Sequence, residues 1–283
     1  MNCDSKIIKN IISNDFEIED KYKLYRKMSD VIHPTISKKN ISDYKIVLDD
    51  KIFPIRVFYP KKVTKIEKVI IFIHGNGYVT GYKNKYSDIC MKISKNINSL
   101  MISIDYELDY KMNEKYFLKK LYDTISLIIK QIKEQNLNNI ILMSDSTSAD
   151  LCIKLNELNN LDIKKQILIT PIINFNCDNT INLSDKNNNI DNNLLIRLNQ
   201  YNNFYNSKKQ IKKISNNIKN QPNTLIITGN ADPLKENGKH LAEKLGSNCV
   251  YKNINFANHN ILLSTDKEIN DEFNNSILNF INN

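Results

Sequence analysis

Arginine is nearly missing from this chain. Arg26, Arg56 and Arg197 are the only arginines among 40 basic residues, although the formal net charge is +9. Arginine does most of the bidentate reading of bases and phosphates, and the lysines here are scattered along the chain rather than grouped in blocks. We therefore interpret the positive charge as solvated surface, and we expect no nucleic acid as a partner.

Long apolar runs are missing as well. No segment approaches the roughly 20 apolar residues that a membrane span requires. The opening stretch MNCDSKIIKNIISNDFEIED has no apolar core long enough for a signal peptide. The sequence therefore predicts a protein without membrane association, and we expect a cytoplasmic location.

The cysteines form no recognisable framework. They are odd in number, lie far apart and include no C-x-x-C pair: Cys3, Cys90, Cys152, Cys177 and Cys249. This usage indicates reduced thiols in the cytosol, and it argues against a disulfide scaffold or a zinc site. We expect no metal.

Short apolar runs alternate with helical patterns over most of the chain. The runs are VIIFI (69–73), SLMISI (99–104), NIILM (139–143), QILIT (166–170), TLIIT (224–228) and CVYKNINF (249–256). Aliphatic strands separated by helices predict an α/β fold, with a mostly parallel twisted sheet and helices on both faces. Two alternating segments before them, YKIVLDD and KIFPIRVFYP, predict an antiparallel hairpin that opens this sheet.

Two regions depart from this rhythm. Residues 5–32 carry apolar positions at helical spacing, so we interpret residues 1–43 as an N-terminal helical cap segment. The stretch from about 176 to 220 is rich in Asn, Asp and Lys, with sparse Leu, Tyr and Phe in its second half. We interpret it as a linker and helix inserted into a catalytic domain of residues 44–283; a disordered loop is the alternative.

Glycine is scarce, so the places where the chain keeps it are informative. The chain has six glycines, and average usage would give about three times as many. Three of them lie in IHGNGYVTG, directly after the run VIIFI, and Gly229 follows TLIIT. Both places are carboxyl ends of predicted parallel strands, where such sheets bind ligands. Ordinary βα turns are the alternative.

Five short stretches resemble, in order, motifs of the hormone-sensitive-lipase-like esterases, a branch of the α/β-hydrolases. HGNGYVTG resembles the family's His-Gly-Gly-Gly motif, and SDSTSADL resembles its Gly-Asp-Ser-Ala-Gly elbow. The other three are IDYELDYKMNEKY, GNADPLKENGKHLAEKL and FANHNILL. The resemblance runs from about residue 44 to the end of the chain. It implies an α/β-hydrolase fold with a helical cap.

A Ser-His-Asp triad follows from the resemblance. Ser146, on the turn between a strand and a helix, would be the nucleophile, and it needs an adjacent base. His259 would be that base, and Asp232 would orient its imidazole. The chain order Ser, Asp, His is that of the α/β-hydrolases. Taken alone, each residue has a structural alternative: a turn serine, a loop histidine, or a helix N-cap at Asp232.

The resemblance also implies an oxyanion hole. Asn76 and Gly77 would donate backbone N–H groups from the loop, and Thr147 would donate one from the elbow. His74 and Gly75 support the motif, with His74 bracing the loop. The chain departs from the family at Asn76, at Glu107 (an arginine in the family) and at the two elbow serines that replace glycine.

Those two serines, Ser144 and Ser148, do not disqualify the elbow. The positions require small residues because strand and helix backbones pass close to each other there, and serine is the next size up. A hydroxyl at either position has local backbone groups to bond. We expect Ser148→Gly to keep or raise the activity.

The sequence as a whole predicts a metal-free serine esterase with no cofactor. Its partner would be a small, soluble ester with a short acyl chain. An amidase, formamidase or deacetylase with the same triad is an alternative, and a non-catalytic ligand-binding relative is another. Whether the chain forms a homodimer stays open.

Overall fold

The computed structural model describes most of the chain that follows the N-terminal segment. The described residues are 40–48, 51–61, 66–75, 83–106, 114–158, 161–173, 218 and 220–283. Residues 1–39 of the predicted N-terminal cap segment and nearly all of the predicted insertion lie outside these ranges, so both stay predictions. The last residues of the predicted cap segment, 41–43, belong to the first strand.

Eight strands form one sheet in the described part of the chain, in the order β1-β2-β4-β3-β5-β6-β7-β8. They are β1 (Ile41–Leu48), β2 (Lys51–Phe58), β3 (Lys68–Ile73), β4 (Leu100–Ile104), β5 (Asn139–Asp145), β6 (Lys165–Ile169), β7 (Asn223–Gly229) and β8 (Cys249–Ile254). Every strand predicted from the apolar runs is present, with bounds that shift by one or two residues. The predicted fold class is confirmed.

The sheet opens with an antiparallel hairpin and continues as a parallel sheet. Strands β1 and β2 pair in the register Ile41↔Phe58, and β2 pairs antiparallel with β4. From β4 onward, each neighbouring pair is parallel. Strands of a sheet that is covered on both faces are hydrophobic throughout, which explains the unbroken aliphatic runs.

Five helices cover the two faces of the sheet in the described residues. They are α1 (Lys83–Ile97), α2 (Glu114–Glu134), α3 (Ser148–Glu157), α4 (Lys235–Leu245) and α5 (Lys267–Asn282). Apolar side chains of α2, α3 and α4 share one core layer, and those of α1 and α5 share the other. None of these helices has the length and hydrophobicity to cross a lipid bilayer.

Helix α5 has no counterpart in the sequence analysis. Asp266 caps its N-terminus, where the carboxylate accepts hydrogen bonds from the N–H groups of Glu268 and Ile269. Phe273 and Ile277 then bury one apolar face against the sheet. The Asn-rich polar face hides the helical period in the sequence, but the cap and the apolar spacing were readable signals.

Alternating side chains of the central strands build the two core layers. Ile70 belongs to the layer under α1 and α5, and Ile71 belongs to the layer under α2, α3 and α4; both are fully buried. Burying a side chain of this size stabilises the fold by about 1.5–3 kcal/mol. Replacing Ile71 by alanine would cost about 2–5 kcal/mol, because a cavity would remain between sheet and helices.

Candidate active site

Ser146 lies on a sharp turn between β5 and α3, at the carboxyl edge of the sheet. Its backbone φ is +56°, in the left-handed region that L-residues other than Gly, Asn and Asp rarely adopt. Such a conformation costs about 1–2 kcal/mol, and it persists only where surrounding contacts hold it. Strained residues of this kind concentrate at functional sites.

Hydrogen bonds from the neighbouring strand hold that turn. The Ser146 N–H donates to the carbonyl of Ile169, the last residue of β6, over 2.8 Å. The Ser146 carbonyl accepts from the N–H groups of Ile172 at 3.1 Å and Ala149 at 3.2 Å. The strained residue is therefore held through both its backbone N–H and its backbone carbonyl.

The structure brings Ser146, His259 and Asp232 into one hydrogen-bonded chain. The Ser146 Oγ lies 2.9 Å from His259 Nε2. The other ring nitrogen, His259 Nδ1, lies 2.9 Å from Asp232 Oδ2. All three side chains are buried, with Ser146 and His259 each 7% exposed and Asp232 1% exposed. The three residues come from separate loops, after β5, β7 and β8.

Asp232 uses its two carboxylate oxygens for two purposes. Oδ2 faces the histidine, and Oδ1 accepts the N–H of Leu234 over 2.8 Å at the start of α4. The N-cap of α4 is Leu234 rather than Asp232, so Asp232 is not the helix cap that the sequence left as an alternative. The second hydrogen bond fixes the rotation of the carboxylate toward the imidazole.

The loop that carries His259 packs directly on the end of β7. A Cβ added to Gly229 would lie 2.1 Å from the carbonyl oxygen of Ala257. That carbonyl accepts a hydrogen bond from the Ala231 N–H over 2.9 Å. Glycine is required here because the histidine loop and the aspartate loop touch backbone to backbone.

Phe256, in the same loop, has an unusual conformation. Its φ is +59°, and its side chain is 89% exposed. A bulky residue in the left-handed region is a real outlier, and here the ring gains little burial in return. The sequence analysis did not single out this residue.

The proposed oxyanion donors are only partly within the described residues. Thr147 is fully buried, and its N–H donates to no backbone carbonyl of the described chain. Asn76 and Gly77 lie outside the described ranges, as does Glu107. Gly75, just before them, lies so close to the elbow that an added Cβ would be 2.2 Å from the Asp145 carbonyl oxygen.

His74 packs between two tyrosine rings, directly before Gly75. Its ring stacks on Tyr106, with centroids 4.4 Å apart, and on Tyr86 at 5.9 Å. Its nitrogens face the Gly75 carbonyl at 3.1 Å and Asp105 at 3.3 Å. The Tyr106 hydroxyl donates to the His74 carbonyl over 2.7 Å.

Tyr86 connects this stack to the elbow. Its hydroxyl donates to Asp145 Oδ2 over 2.9 Å, next to Ser146 in the chain. Burial, and then the neighbouring Asp145 carboxylate, raise the pKa of Tyr86 well above its ordinary value. The sequence carries no signal for this contact, since Tyr86 reads as an apolar position of a helix 59 residues away from its partner.

Both elbow serines are fully buried. Ser144 ends the parallel pairing of β3 and β5, opposite Ile73. The Ser148 hydroxyl lies 2.7 Å from the Ile73 carbonyl oxygen, and the Asp145 N–H donates to it over 3.1 Å. These contacts argue against the expectation that Ser148→Gly keeps or raises the activity.

His240, which the sequence places on a helix surface, lies on α4 beside Glu243. Its side chain is 64% exposed, whereas that of His259 is 7% exposed. It therefore does not compete with His259 for the role of base.

Comparison with known proteins agrees with the fold. The alpha/beta hydrolase fold family matches residues 70–262, a range that includes all three triad positions. The chain is 35% identical to mouse arylacetamide deacetylase-like 3 over 54 residues, which are 19% of this chain and 13% of that protein. It is 26% identical to neutral cholesterol ester hydrolase 1 from Bos taurus over 136 residues, or 42% of this chain and 33% of that protein.

A solved structure extends the similarity to nearly the whole chain. The thermostable carboxylesterase EstE1, cloned from a metagenomic library, has a TM-score of 0.73 at 19% identity, and the alignment covers 94% of this chain and 97% of that one. The two mammalian relatives, by contrast, are matched over a third of their length or less. The family match covers more than half of the chain and leads to one conclusion: the chain belongs to the alpha/beta hydrolase fold family.

Proposed function

We propose that the protein hydrolyses small carboxylic esters of short acyl chains, with Ser146 as nucleophile, His259 as general base and acid, and Asp232 as the group that orients the histidine. The observation that carries the proposal is the hydrogen-bonded chain from Ser146 Oγ through His259 to Asp232, with 2.9 Å at each step. A serine hydroxyl is a weak nucleophile unless a base is in contact with it.

Acylation follows from this geometry. Ser146 Oγ attacks the ester carbonyl carbon while its proton passes to His259 Nε2. Asp232 stabilises the imidazolium that forms and holds Nδ1 protonated. The tetrahedral intermediate then collapses, the bond to the alcohol oxygen breaks, and the alcohol leaves with the proton from His259.

Deacylation uses the same groups in reverse. A water molecule gives a proton to His259 Nε2, and its oxygen attacks the acyl carbon on Ser146. When the second tetrahedral intermediate collapses, the carboxylic acid leaves and Ser146 Oγ takes back the proton. No net change occurs in the enzyme, and no electron donor or acceptor is needed.

Negative charge develops on the carbonyl oxygen in both steps. The Thr147 N–H, which has no backbone acceptor in the described chain, supports its proposed role as a donor to this oxyanion. Asn76 and Gly77 are proposed as the other donors, from the loop that begins at Gly75. Each such donor contributes on the order of 3 kcal/mol to stabilising the transition state.

The preference for short, soluble esters rests on the predicted cap. The sequence places helical segments at both 1–43 and about 176–220, and a cap over the serine limits the length of acyl chain that enters. The bovine relative is named for hydrolysis of cholesterol esters, which are large and apolar. Substrate size is therefore the part of the proposal that needs a direct measurement.

A series of p-nitrophenyl esters measures it. We expect kcat/KM to be highest for acetate and butyrate and to fall steeply for octanoate and palmitate. Ser146→Ala serves as the control for non-enzymatic hydrolysis. A folded protein that hydrolyses none of the esters would contradict the proposed activity, and a maximum at palmitate would contradict the substrate class.

An amide substrate is the second candidate, because the mouse relative is named for a deacetylase of arylacetamides. The same triad cleaves amides when the leaving amine is protonated in time by the histidine. Nitroacetanilide beside nitrophenyl acetate separates the two activities. We expect the ester to react faster by several orders of magnitude, and comparable rates would favour the amidase.

A further inference from the structure

The hydroxyl of Ser148 bridges β5, which leads to the nucleophile, and β3, which leads to the proposed oxyanion loop. Ser148 is the first residue of α3 and is fully buried. Its Oγ lies 2.7 Å from the carbonyl oxygen of Ile73 and 2.7 Å from that of Asp145. The Asp145 N–H donates to the same Oγ over 3.1 Å.

This arrangement uses the hydroxyl in both of its capacities. A serine hydroxyl has one proton to donate and lone pairs to accept with. Here it accepts from Asp145 and donates to a carbonyl of Ile73 or Asp145. The parallel pairing of β3 and β5 reaches its last pair at Ile73 and Ser144, so the hydroxyl lies where the two strands stop pairing.

The two bridged residues, Asp145 and Ile73, come just before the nucleophile and the start of the proposed oxyanion loop. Asp145 comes directly before Ser146, and Ile73 comes directly before His74 and Gly75, where the oxyanion loop begins. A shift between Asp145 and Ile73 therefore changes the distance from the nucleophile to the oxyanion donors. Misplacement by about 1 Å costs up to about a hundredfold in rate.

We propose that Ser148 is a positioning residue, whose hydroxyl fixes the spacing between the nucleophile elbow and the start of the oxyanion loop. The proposal rests on the proposed esterase function. Its second support is the Asp145 carbonyl oxygen, which is held between Gly75 on one side and the Ser148 hydroxyl on the other. The family's elbow has glycine at this position, so the bridge is a feature of this chain.

Ser148→Ala tests the bridge, because it removes the hydroxyl and keeps the Cβ. We expect kcat for nitrophenyl acetate to fall about tenfold with KM unchanged. The rate of labelling by a fluorophosphonate should fall by the same factor, because acylation needs the same alignment.

Ser94→Ala is the matched control. Ser94 is also fully buried, and its hydroxyl also faces two backbone carbonyl oxygens, of Ser99 at 2.8 Å and Phe58 at 3.3 Å. It lies at the opposite end of the sheet from the triad. We expect it to lower the melting temperature about as much as Ser148→Ala does, with kcat unchanged.

Hydrogen exchange separates this proposal from the proposed activity. The Asp145 amide donates to Ser148 Oγ, so its exchange should become about tenfold faster in Ser148→Ala than in the wild type. This readout does not depend on catalysis. If the wild type has no esterase activity but the Asp145 amide shows this change, the proposed function fails while the bridge stands.

Ser148→Gly tests the proposal through the order of the kcat values of the wild type and the two variants. Removing the Cβ as well leaves room for a water molecule to take the place of the hydroxyl, so we expect kcat to lie between those of Ser148→Ala and the wild type. Glycine is the family's residue, so this variant also covers the case in which the alanine variant does not fold. A glycine variant labelled as fast as the wild type, or an alanine variant with unchanged kcat, would overturn the proposal.

Discussion

Two turns meet at the candidate site, and each has a residue other than glycine in the left-handed backbone region. The surroundings of these two residues, Ser146 and Phe256, differ. At the nucleophile elbow, Ser146 has a strained φ of +56°. Its N–H donates to the Ile169 carbonyl and its carbonyl accepts the Ile172 N–H, while the Asp145 N–H donates to the Ser148 hydroxyl. In the histidine loop, Phe256 holds a similar φ of +59°, but its side chain is 89% exposed. The same backbone strain therefore positions the candidate nucleophile at Ser146, whereas at Phe256 it positions no candidate reacting group.

This difference has a physical consequence. Strain that positions a reacting atom is retained because neighbouring contacts oppose its relief. The side chain of Phe256 is almost fully exposed, so strain there lowers the free energy of unfolding and positions no reacting atom. Changes at the elbow should thus cost activity, and a change at Phe256 should raise stability.

Asp232→Asn tests the histidine side of the site with the largest expected effect. The amide oxygen still accepts the Leu234 N–H, but the amide favours the wrong tautomer of His259, so kcat should fall about 10⁴-fold with a nearly unchanged melting temperature. Asp266→Asn is the matched control, since Asp266 caps α5 through its carboxylate without touching a histidine. Equal effects of the two variants on kcat would contradict the role assigned to Asp232.

A glycine lies against the backbone of each turn, and replacing each glycine by alanine compares the two turns directly. Gly75→Ala would place a Cβ 2.2 Å from the Asp145 carbonyl oxygen, and Gly229→Ala would place one 2.1 Å from that of Ala257. Backbone must move in either case, so we expect a loss of about 2–4 kcal/mol in the free energy of unfolding, measured in urea.

The kinetic effects of the two glycine variants should be of similar size. One displaces the oxyanion loop from the nucleophile, and the other displaces His259 from Asp232, so each should lower kcat about a hundredfold. If either variant kept the wild-type kcat and stability, the backbone contact at that glycine would not be required.

Tyr86→Phe removes the hydroxyl that holds Asp145 beside the nucleophile. A hydrogen bond to a charged group contributes about 1.5–3 kcal/mol, so the free energy of unfolding should fall by about that amount at neutral pH. We expect kcat to fall several-fold, less than for either glycine variant. Tyr116→Phe, at a more exposed tyrosine, should leave kcat unchanged.

The pH dependence of Tyr86 has a definite sign. Burial and Asp145 raise its pKa in the folded protein, so the folded state binds this proton more tightly than the unfolded chain, whose tyrosines titrate near pH 10. The stabilisation is complete below about pH 10 and is lost as the pH rises toward the folded pKa. Thermal unfolding between pH 8 and 11 should show a steeper alkaline loss in the wild type than in Tyr86→Phe, and parallel curves would contradict this assignment.

Phe256→Gly has the smallest expected effect, and its sign is opposite. Relief of the left-handed strain returns about 1–2 kcal/mol, of which the extra backbone entropy of glycine cancels about 0.5–1. The free energy of unfolding should therefore rise by about 0.5–1 kcal/mol with unchanged kcat. Phe256→Ala removes the ring but keeps the strain, so it should bring no such gain; equal stabilisation by both variants would mean that the ring, not the backbone, is unfavourable.

The sequence contains most of what determines the sheet. Uninterrupted aliphatic runs predict β3 to β7 because only a sheet covered on both faces buries nearly every side chain of a strand. The edge strand β8 has a mixed sequence and only one buried residue, Ile254. The order of the short motifs along those strands predicts which loops carry Ser146, Asp232 and His259. Both inferences depend on local pattern and chain order, which a sequence shows directly.

Contacts between distant residues are what the sequence does not show. The bond from Tyr86 to Asp145 joins a helix to the elbow, and nothing near either residue indicates it. The Ser148 bridge to Ile73 spans 75 residues. The serine itself is visible in the sequence, but its contact with Ile73 depends on how closely β3 and α3 approach in the folded chain.

The central claim is that Ser146 is an activated nucleophile. Incubation with a fluorophosphonate, followed by intact mass measurement, tests it most directly because the adduct forms only on a serine that a base has activated. We predict one adduct per chain on the wild type, none on Ser146→Ala, and a much slower adduct on Asp232→Asn. A folded wild-type protein that forms no adduct, or a Ser146→Ala variant that forms one at the wild-type rate, would contradict the claim.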